Sequence, residues 1–180
     1  MVLNFKSIKM RKFFFILLTL TAMTTFAQTP EEKIKSNGLV LPPVSKPIAN
    51  YVKYVRTGNL IFLAGHGPTR ADGSNVTGKV GKELTIEQGY EAAKITALSL
   101  IATLKVAVGD LSKVKRIVKV NGYVNCLPDF TEQPKVINGC SDLLVLVFGD
   151  KGKHARAAMG MVALPSNIAV EIEMVVEVED

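Results

Sequence analysis

Apolar positions recur along this chain with two different periods. From Thr85 onward, Tyr90, Ala93, Ala97, Leu100, Ile101, Leu104 and Val108 fall three or four residues apart, the spacing of one face of a helix. Thr85-Ile86-Glu87-Gln88 opens that run as a capping box, in which the Thr85 hydroxyl accepts from the third helical N–H while Gln88 reaches back. Gly109-Asp110 closes it. A second helical run covers Phe130 to Phe148 (Ile137, Cys140, Leu144, Val147), with Gly149 as its stop. Pro134 is tolerable there because it falls in the first turn, where its missing N–H has no partner to lose.

The remaining apolar runs read as strands. Asn50 to Arg56 and Leu60 to Ala64 are joined by Thr57-Gly58-Asn59, a hairpin signal. Val114 to Asn125 is β-branched and partly alternating. Ala155 to Leu164 and Ala169 to Val178 form a final pair around a Leu164-Pro165 turn. Gly65 to Glu83 has five glycines and no period, a loop long enough to serve packing or function. The order is β-β-α-β-α-β-β, an α+β domain with one sheet. Right-handed crossovers place both helices on one face. The other face is then uncovered, yet the strand from Met159 to Ala163 is apolar on both sides. An apolar open face predicts oligomerisation.

The first 27 residues follow a different rule. Lys6, Lys9, Arg11 and Lys12 precede an apolar run from Phe13 to Met23, and Thr25-Phe26-Ala27 supplies small residues at the positions a signal peptidase reads. The run is short for a membrane span. We expect cleavage after Ala27, an arm over residues 28–46 and a domain over 47–180, with the mature chain exported to the periplasm or beyond and free of the membrane. The arm is polar and then Pro-rich (Leu41-Pro42-Pro43, Lys46-Pro47) and reads as a surface segment.

Charge changes with that cut. The leader takes four of the 22 Lys and Arg and no acid, so 18 cations face 16 carboxylates, a net of about +2. No basic cluster interleaved with aromatics remains, which argues against a nucleic-acid partner and gives ribonuclease activity little support. Cys126 and Cys140 are the only cysteines. An even count permits a disulfide in an exported chain, but Cys140 lies on the apolar stripe of a helix, so two free, buried thiols are the expectation. Neither a C-x-x-C pair nor a His pair offers a metal site.

The stretch from His154 to Glu173 carries the chemistry. Arg156, Leu164-Pro165 and Val170-Glu171-Ile172-Glu173 stand at the spacing of a known family. With Tyr51, Gly58-Asn59 and Gly65 upstream, the chain from about Leu41 resembles the reactive-intermediate deaminases, the RidA/YjgF group of imine and enamine hydrolases. That resemblance implies a chorismate-mutase-like fold, a homotrimer with sheets packed into a central barrel, ligand clefts between neighbouring subunits, and no cofactor. It also implies roles. Arg156 would hold the carboxylate of an imino acid, which suits a planar cation with parallel donors. Glu171 would orient water against the imine carbon. Tyr51 and Gly65 would line the cleft, and Asn138 would fix geometry near it.

Each residue also has a plainer reading. Arg156 could form an intersubunit or surface ion pair, for example with Glu173. Glu171, Glu173, Glu177 and Glu179 share one side of their strand and could be a solvated acidic face. Tyr51 could be a half-buried strand aromatic. His66 stands where many relatives have a polar residue and reads as packing; His154 suits tuning the charge of the cleft more than catalysis. Ala158 replaces a cysteine frequent in the family, and Glu132-Gln133-Pro134-Lys135 marks a divergent form of the second helix. Two functions follow: hydrolytic deamination of short-chain 2-imino acids and enamines to 2-oxo acids and ammonia, or non-catalytic binding of small carboxylate metabolites by a trimer outside the cytoplasm.

Overall fold

The computed structural model describes residues 28–47 and 49–179. The elements in chain order are α1 (Pro30–Ser36), β1 (Tyr54–Thr57), β2 (Leu60–His66), α2 (Ile86–Val108), β3 (Val114–Asn125), α3 (Gln133–Phe148), β4 (Ala155–Met161) and β5 (Val170–Val178). The leader expected over residues 1–27 lies outside the described residues. Thr85 and Gln88 form the capping box of α2, Gly109 ends that helix with φ 77°, and Pro134 sits in the first turn of α3. Strand order in the sheet is β1-β2-β5-β3-β4. β5 runs antiparallel to both β2 and β3, and β4 runs parallel to β3. Since β2 and β3 point the same way, α2 and α3 are both parallel crossovers, and both cover the same face.

β5 shows how the pattern selects that face. Val170, Ile172, Met174, Val176 and Val178 are buried beneath the helices, whereas Glu171, Glu173, Val175 and Glu177 are half-buried on the opposite side. Two glycines let the layers close. A Cβ on Gly122 of β3 would lie 2.6 Å from Ile137 Cδ1, so α3 rests directly on the strand backbone. A Cβ on Gly139 would collide with the Tyr90 carbonyl, its carbon 2.9 Å away, so α3 and α2 meet backbone to backbone. Cys126 and Cys140 are free and buried, and burial pushes the Cys140 thiol up to about 12.

The open face carries Val55, Phe62, Met159 and Met161, all exposed, beside the acidic side chains of β5. Three sequence expectations differ in detail. The first strand begins at Tyr54 rather than Asn50, which leaves Tyr51 outside the sheet. The arm is not wholly irregular: Thr29 and Glu32 form a capping box around Pro30, and the two-turn α1 buries Ile34. β4 stops at Met161, short of Leu164, because the chain must turn through Pro165–Asn167, where Ser166 and Asn167 take φ of 52° and 54°. The buried Asn125 holds that turn, donating from Nδ2 to Asn167 Oδ1 at 2.9 Å and to the Ile168 carbonyl at 3.2 Å.

Candidate functional site

Arg156 lies on the edge strand, in register with Val120 of β3. Val120 is fully buried beneath the helices, so Arg156 also points to the helix side. There α3 meets it with two groups one turn apart. Arg156 Nη1 donates to Asn138 Oδ1 at 2.9 Å and to Ser141 Oγ at 2.9 Å. Ser141 Oγ is in turn 3.1 Å from His154 Nε2, and His154 Nδ1 is 2.6 Å from the Gly152 carbonyl oxygen. Burial is the main cause holding the His154 pKa below its usual 6.5, and the nearby Arg156 charge adds to it. Among the described residues Arg156 has no carboxylate of its own chain within ion-pair distance, so it does not pair with Glu173 of the same chain.

Glu171 belongs to the other face of the sheet. It lies opposite Tyr123 on β3, and its side chain crosses the backbone of β2 at Gly65. A Cβ at Gly65 would collide with Glu171 Oε1 and sit 2.9 Å from its Cδ. Gly65 therefore makes the room in which the carboxylate lies. Burial raises the Glu171 pKa above its usual value, and the neighbouring Glu173 charge raises it further. Glu173 is committed elsewhere: its Oε1 accepts from Asn121 Nδ2 at 2.9 Å and from the Tyr123 hydroxyl at 3.0 Å.

Five residues were expected at the site, and the fold sorts them into two groups and an outlier. Arg156 and Asn138 are in direct contact. Glu171 and Gly65 are in direct contact. β3 lies between the strands that carry the two groups, which are roughly 10 Å apart along the sheet and on opposite faces of it. Tyr51 precedes β1 and is exposed, with its backbone N–H donating to the Ala49 carbonyl. A single chain does not assemble all five.

His66 is a packing residue. Its Nδ1 is 2.7 Å from the Ala64 carbonyl oxygen and its Nε2 is 2.8 Å from Thr103 Oγ1 on α2, and burial pulls its pKa to about 4. Ser141 carried no sequence signal, although it stands one helical turn after Asn138 and so shares its face. Among the described residues no group of three His, Cys, Asp or Glu side chains could hold a metal ion, and no helix is long and apolar enough to cross a membrane.

Similarity to known proteins covers the same segment. The family model described as "YjgF/chorismate_mutase-like, putative endoribonuclease" matches residues 31–178. Protein TCP17 of Trypanosoma cruzi is 43% identical over 144 residues, which is 79% of this chain and 90% of that protein. A 2-iminobutanoate/2-iminopropanoate deaminase of Dermatophagoides farinae is 27% identical over 139 residues, covering 77% of this chain and 93% of the deaminase. The crystal structure of an Agrobacterium tumefaciens protein of unknown function superimposes with a TM-score of 0.78 at 41% identity, over 84% of this chain and 93% of that one.

Proposed function

Because the chain belongs to the RidA/YjgF family, whose model spans residues 31–178, we propose that it hydrolyses short-chain 2-imino acids and their enamine tautomers to 2-oxo acids and ammonia. The single observation that carries this reading is Arg156, which is held by Asn138 and Ser141 and has no carboxylate partner among the described residues. A guanidinium so placed can take the substrate carboxylate. Water then adds to the C=N carbon, and the carbinolamine collapses to release ammonia and leave the 2-oxo acid. Glu171, with its raised pKa, suits the proton transfers on either side of that addition.

The arrangement of the two groups supports a site shared between chains. Arg156 and Glu171 occupy opposite faces of one sheet, so a substrate held by one chain's arginine meets the acid of a neighbouring chain. A homotrimer that buries the apolar open face supplies such clefts. Little catalytic power is required, because these imines hydrolyse unaided. A hundredfold acceleration is about 2.7 kcal/mol of barrier, and hydrogen bonds to a charged group are worth roughly 1.5–3 kcal/mol each. They count only as far as they favour the transition state over the bound substrate.

A second reading rests on the same geometry. The arginine half-site is complete within one chain, which is all that a carboxylate-binding protein without catalysis would need. Export through the expected leader favours this alternative, since it would separate the protein from cytoplasmic sources of imino acids. An amino-acid oxidase that generates the imine, with semicarbazide as competing trap, separates the two. Faster 2-oxo acid release on adding the protein supports the hydrolase. Unchanged release alongside measurable 2-oxo acid binding supports the binder.

A further inference from the structure

With the His154 ring neutral, as its burial and the neighbouring Arg156 charge favour, the hydrogen bonds behind Arg156 have one consistent direction. A carbonyl oxygen can only accept, so His154 Nδ1 carries the proton that it donates to Gly152 at 2.6 Å. The neutral ring therefore has its lone pair on Nε2 and accepts from the Ser141 hydroxyl at 3.1 Å. Having donated its proton to the ring, Ser141 has only lone pairs left for Arg156, and it accepts from Nη1 at 2.9 Å. Asn138 Oδ1 accepts the other Nη1 hydrogen, also at 2.9 Å. Both hydrogens of Nη1 are then used.

Which edge of the guanidinium remains follows from its planarity. Nη1 is the nitrogen on the Cδ side, so occupying it closes the Nη1–Nη2 edge to bidentate binding. What stays open is the edge formed by Nε–H and the parallel Nη2–H. Among the described residues neither nitrogen has a hydrogen-bond partner; both hydrogen bonds of the Arg156 side chain to them leave from Nη1. Two parallel donors match a carboxylate, and a guanidinium held from behind loses less freedom on binding than a free one.

We infer that Ser141 and His154 are positioning residues for Arg156, selecting its Nε–Nη2 edge as the fork that receives the ligand carboxylate. This rests on the reading of Arg156 as a carboxylate clamp. Asn138 fixes one Nη1 hydrogen by itself; the second depends on the His154–Ser141 chain. Without it the guanidinium can swing about its bond to Asn138 and present either edge. His154 takes no part in the chemistry, and Ser141 touches neither substrate nor water in the reaction. Their effect is on how well the carboxylate is gripped.

The test begins without any ligand. Nitrogen-detected NMR of the full-length mature protein reads rotation of the Arg156 guanidinium, which is slowed when Nη1 is bonded twice. Ser141→Ala, which puts a strong helix former into α3, and His154→Leu should both speed that rotation. His154→Gln should slow it again, because its amide oxygen can accept from Ser141 in place of Nε2. With pyruvate as probe, losing one hydrogen bond to a charged group should weaken Kd about tenfold in the first two variants. His154→Gln should stay close to the parent protein. In the imine assay KM should rise in the same proportion while kcat changes less. Rotation and Kd both unchanged in Ser141→Ala and His154→Leu would overturn the inference. So would a weakened Kd that His154→Gln fails to restore. If the parent protein binds no pyruvate, the clamp reading of Arg156 falls, and the rotation measurement still decides whether the two residues hold it.

Discussion

Gly65→Ala should separate activity from stability. The added Cβ would collide with Glu171 Oε1 and lie 2.9 Å from Cδ and 3.1 Å from Cγ, where ordinary carbon contacts need about 3.5–4.0 Å. The atoms in the way form the end of a flexible, half-buried side chain, so the carboxylate can retreat by about 1 Å and turn outward. Its departure costs the fold little, since burial and Glu173 already disfavour its charge. Alanine in a strand is also favoured over glycine by about 0.5–1 kcal/mol. Stability in urea should therefore change by less than about 1 kcal/mol. Activity should not survive so well: a catalytic group misplaced by about 1 Å can cost on the order of a hundredfold in rate. Gly139→Ala serves as the contrast. Its Cβ would meet the Tyr90 backbone, which cannot rotate away, so overpacking should remove about 1–3 kcal/mol of stability. The measurements are urea unfolding and coupled imine hydrolysis on both variants. Parent-like kcat in a well-folded Gly65→Ala would refute the placement of Glu171 in the reaction.

Two further perturbations address the charged groups. Arg156→Ala should abolish 2-oxo acid binding by calorimetry and leave the melting temperature nearly unchanged, because it strands no buried carboxylate; Arg156→Lys should also fail to bind, since it keeps the charge without the fork. His66 gives a pH dependence: its folded pKa is depressed from 6.5 to about 4, so the unfolded chain binds the extra proton first. The contribution from neutral His66 is present above the unfolded value and is lost as pH falls from about 6.5 to about 4. The loss is on the order of 3 kcal/mol at the lower limit, read as the difference in urea stability between the parent and His66→Gln across that range.

Much of the fold was legible because single elements carried redundant signals. α2 had a capping box, a helical stripe and a terminal glycine, and β5 had strict alternation. α1 was hidden by its polarity: Ile34 is its only buried side chain, although Thr29-Pro30-Glu31-Glu32 is a legible start signal. Placing β5 between β2 and β3 depends on long-range pairing, which leaves no local trace. The candidate site was legible as a set of residues but not as geometry. Arg156, Glu171, Asn138 and Gly65 were candidates through the resemblance to the family, and two contacts among them formed. That Arg156 and Glu171 face opposite ways follows from the register of Arg156 with Val120 and of Glu171 with Tyr123. Neither strand's own sequence contains that register. Ser141 and His154 were invisible as partners for the same reason: their contact joins a helix to the segment leading into β4.

The claim that one chain's arginine works with another chain's acid can be tested by complementation. Arg156→Ala and Glu171→Gln should each be inactive as pure proteins. Co-expressed in equal amounts, they should form mixed oligomers in which some interfaces pair the intact arginine of one chain with the intact acid of its neighbour. Random assembly of a cyclic oligomer makes about one interface in four complete, so imine hydrolysis should return to about a quarter of the parent rate. Mixed oligomers, verified by mass, that remain inactive would contradict the shared site.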